Sequence, residues 1–225
     1  MALAIDAYQK LTQRLGAAAR RYGRAPEDIQ LLAVSKRQSV DAIRSLAGFG
    51  QRDFGENYLQ EAASKIAALS PLALNWHFIG RLQSNKTRVV ATLFDWVHSV
   101  DRLKIAQRLN DQRPDSAARL NICVEVNISG ESGKGGLAVD EIPGFIDNLA
   151  EFPRLQVRGL MALPAPEDNF EIQRRSFRQL YEAFAGIDRP AFDTLSMGTS
   201  NDFEAAIAEG ATMVRIGTAL FGPRN

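Results

Sequence analysis

The chain has 225 residues, 45% of them apolar, and 27 Lys and Arg nearly cancel 26 Asp and Glu to a net charge of +1. With the basic residues scattered and no stripe of interleaved aromatics, that balance excludes a polyelectrolyte groove for nucleic acid. One cysteine, Cys123, excludes an internal disulfide and a Cys-rich metal site, and no apolar run reaches the ~20 residues that span a bilayer.

The first segment, "MALAIDAYQKLTQRLG", is interrupted by Asp6, Gln9 and Lys10, so it lacks a signal-peptide core. From about residue 3 to 22 its apolar spacing is that of an amphipathic helix. "IQLLAVS" (29–35) then reads as a buried strand that stops at Lys36. Ser39 is placed to cap the helical "VDAIRSLAGFG". "RDFGE" (52–56) and "WHFIG" (76–80) are the next strands, and Ser84 is placed to cap "NKTRVVATLF". "WVHSV" (96–100) is followed by Asp101 as a cap for "RLKIAQRLN". "NICVEVNIS" (121–129) precedes the loop "SGESGKGG" and the helical "VDEIPGFIDNLAEF", whose proline sits near its start, where it is tolerated. "VRGLMAL" (157–163), the helical "NFEIQRRSFRQLYEAFAG", "TLSMG" (194–198), the helical "NDFEAAIAEG" and "MVRIG" (213–217) complete the order.

Strands alternate with helices and Asn-Gly hairpin turns are missing, which favours parallel βαβ units. Eight strands separated by helical segments predict a single α/β domain over 1–225, a (β/α)8 TIM barrel; a doubly wound open sheet is the alternative. The chain ends at Asn225, soon after the last strand, so the extra N-terminal helix is expected to close the outer ring.

Chemistry in such a barrel sits on the loops after the strands. Those strand ends carry Lys36, Asn57, Ser99, Asn127, Met161, Ser196 and Arg215, with His77 inside the third strand. "SMGTSNDFEAA" and "RIGTALFG" place small and hydroxyl residues after strands seven and eight. Either alone reads as turn and capping chemistry. Together, in the two loops where barrels often hold phosphate, they predict a phosphate site. A lone Lys36 reads as a surface lysine or a partner for Glu56. Facing a phosphate site, a partly desolvated amine is the natural anchor for pyridoxal 5′-phosphate, which carries an aldehyde and a phosphate.

Other motifs fail on chemistry. "SGESGKGG" has Ile128 where a nucleotide loop needs its first glycine, and Gly135 where it needs Ser or Thr. His77 and His98 have no neighbours at metal-ligand spacing, and no G-x-S-x-G elbow is present.

The segments "LLAVSK", "DFGENYLQE", "WHFIGRLQSNK", "SVDRLKIAQRLN", "VEVNISGESGKGGL", "RGLMALPAP", "LSMGTSNDFEAAI" and "MVRIGTALFG" resemble the pyridoxal phosphate homeostasis proteins from about Leu31 to Gly222. The resemblance implies the barrel of the alanine racemase N-terminal domain and a Schiff base at Lys36. It also implies phosphate contacts from Ser200, Gly217 and Thr218, with Arg215 near the pyridine nitrogen and Asn57, His77, Met161 and Ser196 lining the pocket. Thr199 and Gly133 depart from the family pattern, which bears on loop geometry and on any role of Lys134. The implied function is a cytoplasmic, monomeric cofactor carrier or regulator that serves pyridoxal-phosphate apoenzymes. The alternatives are a weak amino-acid racemase and a cofactor-free barrel aldolase. Racemase-like catalysis is expected to be poor, because the four tyrosines, Tyr8, Tyr22, Tyr58 and Tyr181, do not belong to the second domain that supplies a racemase's tyrosine acid/base.

Overall fold

The computed structural model describes residues 2–131 and 133–222; Ser132 of the glycine-rich loop, Met1 and residues 223–225 lie outside the described residues. In chain order the elements are α1 (Ala2–Arg21), β1 (Gln30–Val34), α2 (Val40–Gly48), β2 (Asp53–Glu56), α3 (Leu59–Leu69), β3 (Asn75–Phe78), α4 (Thr87–Leu93) and β4 (Trp96–Val100). They continue with α5 (Leu103–Gln112), β5 (Leu120–Val126), α6 (Ile142–Leu149), β6 (Leu155–Ala162), α7 (Phe170–Ala185), β7 (Thr194–Ser196), α8 (Phe203–Ala208), β8 (Met213–Ile216) and α9 (Thr218–Phe221). The strands pair in parallel and in sequence order, and β8 returns to β1 to close the barrel. Closure removes both sheet edges and excludes the open-sheet alternative. Parallel strands covered by helices are buried on both faces, which is why their sequences read as continuous apolar runs. All five residues of β4 and all four of β8 are buried.

Local chemistry sets most of the helix boundaries. Ser39 Oγ accepts the Ala42 N–H at the start of α2, as predicted. The Asn169 side chain accepts two N–H groups at the start of α7, and Pro143 lies in the first turn of α6, where no donor is lost. Two predicted caps are not made. Ser84 lies in a single 3-10 turn before α4, and its carbonyl accepts from Thr87 Oγ1 and Arg108 Nε. Asp101 sits one residue ahead of the cap position, Arg102, and its carboxylate accepts from Arg102 Nε and the Gly136 N–H. For Asp101 the distant Gly136 N–H takes the place of a helix N–H.

The N-terminal helix closes the outer ring as expected. It packs between α8 and α9 on one side and α2 on the other. Arg14 pairs with Glu204 and lies over the Phe203 ring at 4.8 Å. Arg24, just past the helix, donates to the carbonyls of Ile207 and Ala211. Leu11, Leu15, Ala18 and Ala19 supply the buried stripe.

Two local features shape the barrel mouth. A Cβ on Gly80 would stand 2.3 Å from the Asn57 carbonyl oxygen, so the chain after β3 approaches the end of β2 more closely than any side chain permits. Beside β1, Lys65 of α3 is buried and donates to the Ser35 carbonyl at 2.7 Å, to Glu56 Oε1 at 2.8 Å and to Glu61. Ser35 Oγ also donates to Glu56 Oε1, at 2.6 Å, and the Arg37 N–H donates to Glu61. The residues on both sides of Lys36 are thereby tied to β2 and α3, and Arg37 is held at a left-handed φ of 61°. Burial raises the Glu56 carboxyl above its ordinary range, against the hydrogen bonds from Lys65 and Ser35. Removing the cation would strand a buried carboxylate, a change that costs about 3–5 kcal/mol when a buried ion pair loses one partner. Lys65→Met is expected to destabilise the protein by roughly that amount, read as a fall in the urea midpoint. A midpoint within the error of the parent protein would show that the pair does not brace this segment.

Candidate functional site

A cavity of about 390 Å³ opens at the C-terminal ends of the strands. Lys36 enters it from the end of β1 and Asn57 from the end of β2. Met161 of β6 and Arg215 of β8 form part of its wall. Ser200 reaches it from the loop after β7, and Gly217 and Thr218 from the turn after β8. These residues lie far apart in sequence, and the strand order brings them to one mouth. The volume falls within the range usual for small-molecule and cofactor sites.

The two loops expected to hold phosphate are adjacent because β7 and β8 are neighbours. Ser200 Oγ accepts the Ala219 N–H at 3.3 Å, which ties one loop to the other. Thr199 is folded inward, its N–H and Oγ1 both donating to Asp202 Oδ1. Gly198, at φ 94°, makes the turn between β7 and this loop; a Cβ there would meet the Ala206 methyl at 2.6 Å. The helices that follow are short, six residues in α8 and four in α9. The anion-binding capacity of the loops therefore rests on their N–H groups and hydroxyls more than on a helix dipole.

Arg215 is 6% exposed, and burial lowers its pKa from the usual guanidinium value. Its Nη1 donates to the Ser196 carbonyl at 2.6 Å and to Ser196 Oγ at 3.0 Å, and Nη2 donates to the Ala162 carbonyl at 2.9 Å. Every one of these acceptors is neutral. The cation is hydrogen-bonded to dipoles alone, with the carboxyls of Asp202 and Glu125 acting on it from further off.

Two of the predicted pocket residues do not line this cavity. His77 and Ser196 are both fully buried. His77 Nδ1 lies 3.0 Å from His98 Nε2, and His98 Nδ1 lies 3.1 Å from Ser196 Oγ. Since β4 and β7 are not neighbours, the His98–Ser196 contact crosses the barrel interior. The physical reason is the layered filling of such barrels: inward side chains from alternate strands stack beneath the mouth. Burial lowers the pKa of His77, against the hydrogen bond to Asp53, and lowers that of His98 well below the ordinary value, with the Arg215 charge adding to the effect. Both rings are neutral. Cys123 sits in the same interior with Trp96 and Met161, its thiol pushed up to about 12 by burial, and is inert as a nucleophile.

The sequence reading passed over Glu125, which also lines the cavity. Burial raises its carboxyl pKa and the Asp101 charge raises it further, against Arg215, Arg81 and Lys134. The available signal was a carboxylate inside the apolar run "ICVEV". Leu163, Val34 and Ile79 supply apolar wall that composition alone does not single out. Lys134 pairs with Glu131 at 2.7 Å. Among the described residues no group of three His, Cys, Asp or Glu side chains could hold a metal ion, and no helix is long and apolar enough to cross a membrane.

With the geometry in place, the comparisons with known proteins are specific. Residues 8–225 match the family model described as the alanine racemase N-terminal domain. The chain is 53% identical over 216 residues to the pyridoxal phosphate homeostasis protein of Pseudomonas aeruginosa, covering 96% of this chain and 94% of that one. It is 52% identical over 221 residues to the protein of the same name from Escherichia coli, again covering 96% and 94%. Among solved structures it is similar to PipY of Synechococcus elongatus with PLP bound, at 34% identity and a TM-score of 0.79, covering 92% of this chain and 100% of that one. The alanine racemase of E. faecalis shares the fold at 16% identity, with a TM-score of 0.71 over 95% of this chain and 58% of that one. The barrel, the residues at its mouth and these likenesses agree: the chain belongs to the alanine racemase N-terminal-domain family and, within it, to the pyridoxal phosphate homeostasis proteins.

Proposed function

We propose that the protein binds pyridoxal 5′-phosphate in the mouth cavity through Lys36 and acts as a carrier, buffer or regulator in vitamin B6 homeostasis. The observation that carries this reading is the convergence of an amine, a buried cation and two hydroxyl-bearing loops on one cavity. Asn57 Oδ1 supports the fit: it is buried at the cavity wall and has no hydrogen-bond partner among the described residues, so a ligand donor there would satisfy it. The proposed form is a monomer. The proposed setting is the cytoplasm, and the proposed recipients are apoenzymes that use the same cofactor.

When bound, pyridoxal phosphate supplies an aldehyde for covalent attachment and a ring that can act as an electron sink. Lys36 Nζ is the nucleophile for that attachment, releasing water. The braced segment around it, tied to Glu56 and Lys65, holds the amine at the mouth without a flexible hinge. Ser200, Gly217 and Thr218 offer hydroxyls and N–H groups to the phosphate. Met161, Leu163 and Ile79 line the cavity and would offer apolar surface to the ring. Arg215, which the family resemblance sets toward the ring nitrogen, is a cation that disfavours protonation of a neighbouring base. That weakens the electron sink. Among the described residues the ionisable side chains lining the cavity are Lys36, Glu125 and Arg215, and no tyrosine is among them. A site that lacks one positioned acid or base typically loses ~10²–10⁴-fold in rate.

Lys36→Ala is expected to abolish the visible, borohydride-reducible absorbance of the purified protein while its far-ultraviolet dichroism is retained. A fully coloured, reducible variant would refute the assignment. The phosphate is expected to carry much of the affinity: pyridoxal should bind distinctly more weakly than its phosphate, and Ser200→Ala with Thr218→Val should narrow that gap in a titration. Equal affinities of the parent protein for the two ligands would remove the phosphate site. Turnover of L-alanine or L-serine should be slow or absent. Racemisation at about 1 s⁻¹ or faster, lost in Lys36→Ala, would establish the racemase reading in place of the carrier.

A further inference from the structure

The barrel interior holds a row of polar side chains that the binding reading does not use. Asp53, at the start of β2 on the face opposite the mouth, has a side chain 15% exposed. Its Oδ1 lies 3.2 Å from His77 Nε2. His77 Nδ1 lies 3.0 Å from His98 Nε2, His98 Nδ1 lies 3.1 Å from Ser196 Oγ, and Ser196 Oγ accepts from Arg215 Nη1 at 3.0 Å. Trp96 stacks on His77, ring centroids 5.2 Å apart and planes within 9°, and fixes that ring against rotation.

With Asp53 an anion and both rings neutral, one assignment of protons satisfies every contact. Asp53 is an anion: burial raises its carboxyl, but hydrogen bonds from His77, Gln30 and Asn75 oppose this, and the carboxyl lies below the ordinary range. A carboxylate only accepts, so His77 carries its proton on Nε2. As a neutral ring His77 then accepts at Nδ1, so His98 carries its proton on Nε2. His98 in turn accepts at Nδ1, which takes the Ser196 hydroxyl proton. Both lone pairs of Ser196 Oγ then remain for the guanidinium. In the reverse order His98 would donate to Ser196, whose own O–H would have to compete with the Arg215 N–H for direction. The tautomers of two buried rings thus decide whether Ser196 is a good acceptor for the cation.

We propose that Asp53, His77, His98 and Ser196 are positioning residues for Arg215, forming a one-way hydrogen-bond relay through the barrel core from an anion on one face to the cation at the opposite mouth. The relay fixes Nη1 by its two bonds to Ser196 while Nη2 is held by Ala162. That leaves Nε–H and one Nη2–H without an acceptor among the described residues, at a side chain that lines the cavity. Each member polarises the next, so a chain of neutral groups carries the influence of Asp53 inward. A change at Asp53 is therefore felt at the cofactor cavity, although Asp53 does not line it.

The test has an arm that needs no cofactor. The chain has two histidines, so nitrogen NMR of ligand-free protein labelled at histidine reads both rings without ambiguity. Near neutral pH both are expected to be neutral with the proton on Nε2; an imidazolium, or a proton on Nδ1 in either ring, overturns the relay. Asp53→Ala and Ser196→Ala, at its two ends, are each expected to shift the ring-nitrogen signals of both histidines. Asn75→Ala, which removes a donor to Asp53 outside the relay, should leave both tautomers in place. The second arm rests on the proposed function: in protein loaded with pyridoxal phosphate, Asp53→Ala should move the visible absorption maximum, a response that loss of stability alone does not produce. Unchanged ring signals and an unchanged band in Asp53→Ala overturn the proposal. The expected tautomers in a protein that takes up no pyridoxal phosphate would uphold the relay and refute the binding reading.

Discussion

The pairing of β1 with β8 is the contact on which the site depends. Its register, Gln30 with Met213 through Ala33 with Ile216, joins the two ends of the barrel. It sets Lys36, just past β1, beside Gly217 and Thr218, just past β8. No local preference brings these residues together, and the loop they close is nearly the whole chain. Its entropic cost is met by cooperative burial of the barrel and its helical ring. The N-terminal helix reinforces this seam: α1 contacts α8, α9 and α2, Arg14 bonds to Glu204 of α8, and Arg24, just past the helix, bonds to the Ala211 carbonyl ahead of β8. The amine and the anion loops are a product of closure.

Around the mouth, two buried cations are accommodated in opposite ways. Lys65 is neutralised by Glu56 and Glu61, so its charge is spent on structure and the geometry of residues 35–37 follows from it. Arg215 is surrounded by carbonyls and a hydroxyl. Burying a guanidinium against neutral dipoles costs more than pairing it with a carboxylate. What the arrangement retains is a guanidinium at the cavity wall that is not paired by hydrogen bonds to a carboxylate.

The interior beneath the mouth is polar where a barrel of this size is more often filled with branched aliphatic side chains. His77, His98 and Ser196 are fully buried, and each finds a partner in the layer itself or at its ends. Complete satisfaction makes such a layer rigid and specific; a single missing partner would leave an unsatisfied group in a low-dielectric core. The layer therefore acts as a fixed floor for Arg215.

By itself the sequence determined the order and number of the strands, because parallel strands buried on both faces leave continuous apolar runs separated by helical periods. It also determined which residues stand at the strand ends, and so placed Lys36, Asn57, Arg215 and the loops after strands seven and eight at one mouth. Strand ends were legible only within a few residues: "TLSMG" contains a three-residue β7, and "NICVEVNIS" stops pairing at Val126. The tertiary structure decided which inward side chains meet. His77 and Ser196 lie in sequence as plausible pocket residues, yet the stagger of the strands sinks them below the cavity and joins them through His98. Glu56 found its cation in Lys65, on a helix whose limits the sequence did not mark. Glu125, one carboxylate in an apolar run, gained its place in the wall from the same stagger. The period of a strand tells which side a residue faces. The shear of the closed barrel sets its depth and its partner from across the core, and that quantity is a property of all eight strands together.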